Sequence, residues 1–248
     1  MPAGNLDAYE LANGLTVTMT DPMKEWDIQY RGPNDTVIDL HLTALMDPLM
    51  SHDTAVPGGH DFSHFHAVKD LAKDSVGHID QTLQSTGSVH VGGQTFDFDF
   101  PSNRDHSWSP RPEYGHGRGN FDEAYFGSDM LFHMQTIEKT PGSQSLTNGY
   151  LIDHGELVLF NAGEARVKSA DDYRISEIEY EIEDDRGRTH VLTGRPLVTS
   201  VFPTWPNQYN LAGVVNWTYE SEKGLGEYKW HWEVSDMIAS DAISREKY

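Results

Sequence analysis

Apolar and polar residues alternate with a period of two through most of this chain, and that period restricts it to half-buried strands. Leu15–Met19 reads Leu-Thr-Val-Thr-Met, and Trp26–Tyr30, Ile38–Leu42 and Phe96–Phe100 repeat the pattern. The second half continues it in Leu157–Phe160, Ile178–Ile182 and Trp230–Val234. Strands with one wet face and one dry face belong to antiparallel sheets or barrels. Turn residues fall between them. Gly92-Gly93 joins Ser88–Val91 to Thr95–Phe100 as a tight hairpin, Asp184–Gly187 joins Ile178–Ile182 to His190–Leu192, and Gly14 and Gly32 mark earlier turns. A helix is compatible only with Asp236–Lys247. The expected class is all-β.

Two stretches break the alternation. Asp47–Ser75 crowds His52, His60, His64 and His66 into a segment without strand pattern, long enough to suggest a functional loop. Pro101–Asn120 is dense in Arg, His, Pro and Gly and separates two strand-rich halves. A length of 248 residues suffices for two small β domains. The expected division is therefore 1–115, containing the His-rich loop 47–75, and 116–248. Six strands are expected in the first part, around Leu15, Trp26, Ile38, Ile79, Val89 and Phe98.

Composition removes several functions. Cysteine is absent, which excludes disulfides, thiolate metal sites and a cysteine nucleophile. Eighteen basic against 39 acidic residues give a formal charge of −21, which repels nucleic-acid backbones and anionic lipid. No apolar run is long enough to span a bilayer. Met1–Asp7 shows no positive segment leading into an apolar one, so the cytoplasm is the expected compartment.

The most specific string is Arg104-Asp105-His106-Ser107-Trp108-Ser109-Pro110-Arg111. It resembles the Arg-Asp-His-x-Trp-Gly-x-Arg signature of the two-domain lipocalin-like family that contains hydroxyneurosporene synthases, the carotenoid hydratases. Looser similarity runs through Asp21–Tyr30, His78-Ile-Asp-Gln81 and Gly224–Tyr228. The resemblance implies two tandem lipocalin-like antiparallel barrel or sandwich domains, the first abbreviated, with the signature lining a pocket at the domain junction. It also implies chemistry on a hydrophobic isoprenoid without metal or nucleotide. Two departures stand out. Ser109 replaces the signature glycine, and the stretch Asp129–Gln135 lacks the Tyr-x-Asp pair of the hydratases, so carotenoid hydration itself is not expected.

Alkene hydration needs a desolvated acid and a means of stabilising a carbocation. A carboxylic acid kept protonated in an apolar pocket supplies the first. Asp105 and His106 could hold and relay one proton, with Arg104 or Arg111 setting the charge balance and Trp108 offering a π face worth up to ~2 kcal/mol. On an extended chain His106 and Trp108 share one face, with Asp105 behind them as orienter. His133, following the signature, completes the candidate catalytic set. The same string reads equally as a structural lock of paired Arg and Asp around a packed Trp.

Other constellations carry less. Gly58-x5-His64-Phe-His66-x3-Asp70-x6-Gly77 has the spacing of a first cupin motif, which makes His64, His66 and Asp70 the alternative metal ligands of an oxygenase. No strand pattern surrounds it and no second motif follows. His41 and His90 read as ordinary strand residues, and Trp205, Trp217, Trp230 and Trp232 as core packing. Gly115–Gly119 is no dinucleotide fingerprint.

The expected protein is a cofactor-independent hydratase, lyase, isomerase or cyclase acting on a hydrophobic, terpenoid-like or polyketide-like molecule. The alternative is a non-catalytic carrier of such a ligand. Six strands are few for a closed barrel of about eight, so a homodimer covering the open edges is expected.

Overall fold

In the computed structural model of the chain, residues 7–50, 77–108, 119–140, 143–169, 174–235 and 238 are described. The chain divides into two compact units. The first carries a six-stranded antiparallel sheet in sequence order: β1 (Ala8–Glu10), β2 (Leu15–Asp21), β3 (Glu25–Arg31), β4 (Val37–Ala44), β5 (Gly77–Val91) and β6 (Gln94–Trp108). The second is a closed eight-stranded barrel of β7 (Gly119–Phe126), β8 (Met130–Thr140), β9 (Ser143–Asp153), β10 (Glu156–Ser169), β11 (Ile175–Asp184), β12 (Thr189–Trp205), β13 (Gln208–Tyr219) and β14 (Glu222–Glu233). The all-β, lipocalin-like architecture is the one the alternation and the resemblance imply. Among the described residues no helix is long and apolar enough to cross a membrane. Most of Asp236–Lys247 lies outside the described residues.

Three strand assignments differ from the sequence expectation. Ile79 and Val89 share one strand, because no turn pair interrupts the run from His78 and β4 continues to pair with it from Leu83 to His90. Pro101–Trp108 is strand, not irregular chain: β5 is equally long and keeps β6 paired, so the signature from Arg104 to Trp108 ends a strand. Ala8–Glu10 adds a short edge strand against Thr16–Thr18. The Gly92-Gly93 hairpin is as expected. Both glycines have positive φ, 58° and 75°, which a two-residue turn between twisted strands demands.

The main core fills the barrel. Trp217, Tyr180, Tyr228, Phe132, Ile178 and Leu192 are fully buried there, joined by Trp230 and Trp232. Full burial of each such side chain contributes about 1.5–3 kcal/mol. Trp217 stands in register between Gly194 on β12 and Gly224 on β14. Its ring occupies the space a side chain at Gly194 would need, since a Cβ there would fall 2.6 Å from the indole. The side chain of Trp205 lies outside the described residues.

The turn from β11 to β12 is tied by Asp184, which accepts backbone hydrogen bonds from Arg186 at 2.9 Å and Arg188 at 2.8 Å. Although burial alone would raise it, the bonds from His190, Arg188 and Arg186 hold this carboxyl well below the usual carboxylate range.

Candidate functional site

The signature strand presents different chemistry on its two faces. Odd-numbered Asp105 approaches the neighbouring strand β5, where its Oδ1 lies 3.8 Å from His78 Nε2. That same nitrogen is 3.1 Å from Oδ1 of Asp80, a carboxylate with no solvent exposure. His78 thus stands between a buried carboxylate and a partly exposed one. Backbone pairing of Asp80 with Leu49 fixes the strand here, and the Gln81 side chain donates to the carbonyls of Met23 and Met46, both at 2.9 Å.

On the even-numbered face, Arg104 Nη2 donates to His106 Nδ1 at 3.1 Å. Burial and the adjacent guanidinium lower the His106 pKa from its ordinary value, leaving the ring neutral at pH 7 with its proton on Nε2. Burial lowers the Arg104 pKa too, against the pull of Asp105, but the group stays cationic. Its guanidinium lies 5.3 Å from the centroid of the Trp26 ring, a cation–π contact on a buried indole. Arg104 Nη1 is buried without a hydrogen-bond acceptor among the described residues. Trp108 ends the strand 36% exposed, its ring against Gly77, where a Cβ would fall 2.0 Å from the indole. Arg111, and the alternative metal set His64, His66 and Asp70, lie outside the described residues.

The ligand atoms of His78, Asp80 and Asp105 all lie within 4.8 Å of one another, a spacing that could also hold a divalent cation. The cupin-type spacing does not include these residues, and their grouping goes unread in the sequence. The signal for it is His-x-Asp on β5 followed by the signature Asp on the next strand of a hairpin.

His133 is not on this hairpin. It sits on β8, in the barrel unit, and is buried. Gln135 Nε2 donates to His133 Nε2 at 3.4 Å, so the ring proton sits on Nδ1, which is donated to Glu123 Oε1 at 3.3 Å. His133 stacks on Tyr150 with ring centroids 5.0 Å apart. Glu123 and Glu227 face each other in register on β7 and β14. Burial, then the neighbouring Glu123 carboxylate, pushes Glu227 up to about 8. Glu227 itself is exposed on the barrel surface.

A third cluster lies inside the barrel. Asp122 is fully buried and accepts hydrogen bonds from Tyr180 at 2.8 Å and Trp230 at 3.3 Å. Asn120 donates to the Tyr180 hydroxyl at 3.0 Å, and Thr136 bonds both Asn120 and Gln144. Burial raises the Asp122 pKa to about 7. Asp122, Glu123 and Glu227 carry no signal in the sequence, because single acids inside strands look like solvent-facing residues.

A family model described as a domain of unknown function, DUF7064, matches residues 1–234. The chain belongs to the DUF7064 family. No curated protein matches this DUF7064 chain in sequence. Solved structures that share its fold include two described by name. One is a protein of Nitrosomonas europaea provisionally identified as AttH, with TM-score 0.62 and 12% identity, over 92% of this chain and 71% of that one. The other is kievitone hydratase from Nectria haematococca, with TM-score 0.55 and 9% identity, over 90% of this chain and 69% of that one. At these identities the likeness is one of fold.

Proposed function

We propose that this DUF7064 protein is a cofactor-independent acid–base enzyme of the hydro-lyase type, acting on a hydrophobic, terpenoid-like or polyketide-like molecule. The observation that carries the reading is the signature hairpin, where His78 lies between Asp80 and Asp105, and where burial, then the Arg104 guanidinium, lowers the His106 pKa. A carboxylate–imidazole–carboxylate chain can hold a proton and pass it along, and a neutral imidazole can accept one from water. The buried donor Arg104 Nη1 suits a substrate oxygen. Trp108, partly exposed at the end of the signature strand, offers a π face to positive charge. The shared fold of kievitone hydratase supports the reaction class without naming the substrate.

The test incubates the purified protein with kievitone and a panel of terpenoid and polyketide alkenes in 18O-labelled water. Mass spectrometry is expected to find a product carrying one labelled oxygen. Tight binding of a panel member without any turnover, label exchange or isomerisation would overturn the enzyme reading in favour of a carrier.

A further inference from the structure

The charges of the signature hairpin bear differently on two ways of adding water to an alkene. One way passes through a carbocation, which needs negative charge or π faces around it. The other is open to an alkene conjugated to a carbonyl group. It passes through an enolate, which needs a positive donor at the carbonyl oxygen.

Arg104 disfavours the first. Its guanidinium is cationic at any working pH. It lies 5.3 Å from the centroid of the Trp26 ring, so a cation already occupies the buried indole that a carbocation would seek. Its Nη2 donates to His106 Nδ1 at 3.1 Å, a bond that a protonated imidazole could not accept. Burial, then the guanidinium itself, disfavours positive charge on His106. The other indole here, Trp108, stands at the partly exposed end of the strand.

Negative charge on an oxygen is provided for. Arg104 Nη1 is buried and has no acceptor. An oxygen that gains charge there meets both a positive neighbour and an unused N–H. Asp105 acts on the charge of Arg104, and Asp105 and His78 both act on that of His106, so the proton-holding chain adjoins this donor.

We propose that Arg104 Nη1 binds the carbonyl oxygen of an α,β-unsaturated, largely apolar carbonyl compound, and that water adds to its β carbon through an enolate held by Arg104. The inference rests on the hydro-lyase reading and names its substrate class. As the water oxygen bonds to the β carbon, one water O–H bond breaks and its proton passes to the Asp105 carboxylate. The alkene π pair shifts at the same time and places negative charge on the carbonyl oxygen. The enolate then takes the proton back at its α carbon and the carbonyl re-forms, so one water is added and nothing else is consumed.

The intact protein is tested with 3-nonen-2-one, with 3-nonene as its counterpart lacking the carbonyl, and with 4-nitrophenol as a probe for the anionic oxygen. The enone is expected to give 4-hydroxy-2-nonanone, followed by loss of its conjugated absorbance, and 3-nonene to stay unchanged. Wild type is expected to bind 4-nitrophenol as the phenolate, read from its visible absorbance. Arg104→Met is expected to lower kcat/KM for the enone by about 10²–10³-fold and to abolish the phenolate preference. Arg104→Lys keeps the charge and is expected to keep that preference. Hydration of 3-nonene, or unchanged enone turnover in an Arg104→Met variant folded by circular dichroism, would overturn the enolate route and leave the hydro-lyase reading standing. Wild type that does not bind the phenolate would overturn the oxygen site. Phenolate binding that depends on Arg104, without turnover of any alkene, would remove the hydro-lyase reading and leave Arg104 as the holder of an anionic oxygen.

Discussion

The Tyr180 hydroxyl donates a 2.8 Å hydrogen bond to Asp122 Oδ2, joining β11 to β7 across the interior of the barrel. With the Trp230 indole on the other oxygen, the carboxyl group is gripped by two donors and still titrates far above an ordinary aspartate. Desolvation outweighs both bonds.

That balance makes stability depend on pH in a defined sense. The folded-state pKa of Asp122, about 7, exceeds the ordinary 3.8. The native state therefore binds more protons between these values, and the contribution is full below the lower value and lost as pH rises through about 7. A tenfold change in proton affinity between the folded and unfolded states corresponds to ~1.4 kcal/mol. Asp122→Asn is expected to remove this slope and to gain stability relative to wild type at about pH 9. Urea titrations at several pH values measure it, and identical slopes for the two proteins would contradict the assignment.

The hairpin reading makes its own demand. Asp105→Asn and His106→Ala are each expected to lower turnover by about 10²–10⁴-fold while leaving the protein folded, as loss of a positioned acid or base does. Asp105 is partly exposed and His106 lies near a strand end, so neither change empties a core. Normal turnover in both folded variants would make the signature structural.

Elemental analysis of the purified protein is expected to find no stoichiometric transition metal. His78 Nε2 already meets Asp80 at hydrogen-bond distance, and Asp105 has the Arg104 cation beside it in sequence. About one ion per chain that disappears in Asp80→Asn would instead make His78, Asp80 and Asp105 a metal centre.

Packing around Trp217 gives a sharp stability test. Gly194→Val drives a side chain into the indole and is expected to cost about 1–3 kcal/mol or more through overpacking. Trp217→Ala is expected to cost about 3–5 kcal/mol through the cavity it leaves. Combining the two changes should cost less than the sum of the single effects, because the valine then enters space the indole has left. Strict additivity in denaturant melts would show that the two positions do not share that space.

We also propose a two-fold assembly. Among the described residues the six-stranded sheet does not close, and its β1 edge strand is only three residues long. Light scattering at micromolar concentration is expected to give twice 27.9 kDa. A clean monomer would refute it.

Strands are legible in the sequence where period two and turn pairs coincide. Phe96–Phe100 with Gly92-Gly93 is such a place, and Ile178–Ile182 with Asp184–Gly187 is another. The join of Ile79 to Val89 is concealed, because a continuous 15-residue strand buried on both faces at one end carries no single alternation. The hairpin site is half legible. Asp105 and His106 stand out by their neighbours, but their meeting with His78 and the stacking of Arg104 on Trp26 depend on cross-strand register and on pairings far apart in sequence. Glu123 and Glu227 are invisible for the same reason, being separated by about a hundred residues and brought opposite each other only when the barrel closes.

That closure has a kinetic consequence. Every neighbouring pair in the barrel order is consecutive along the chain except β14 with β7. Seven junctions can zip locally, while the last must join Leu225–His231 to Gly119–Tyr125 across a loop that contains all the other barrel strands. Loop-closure entropy makes such a contact late and slow. During synthesis β7 must wait, with an unpaired edge, until β14 has emerged. The acid pair Glu123–Glu227 straddles this seam, so it is assembled in the final, slowest step of barrel folding, and changes at the seam should slow refolding more than comparable changes at the locally zipped junctions.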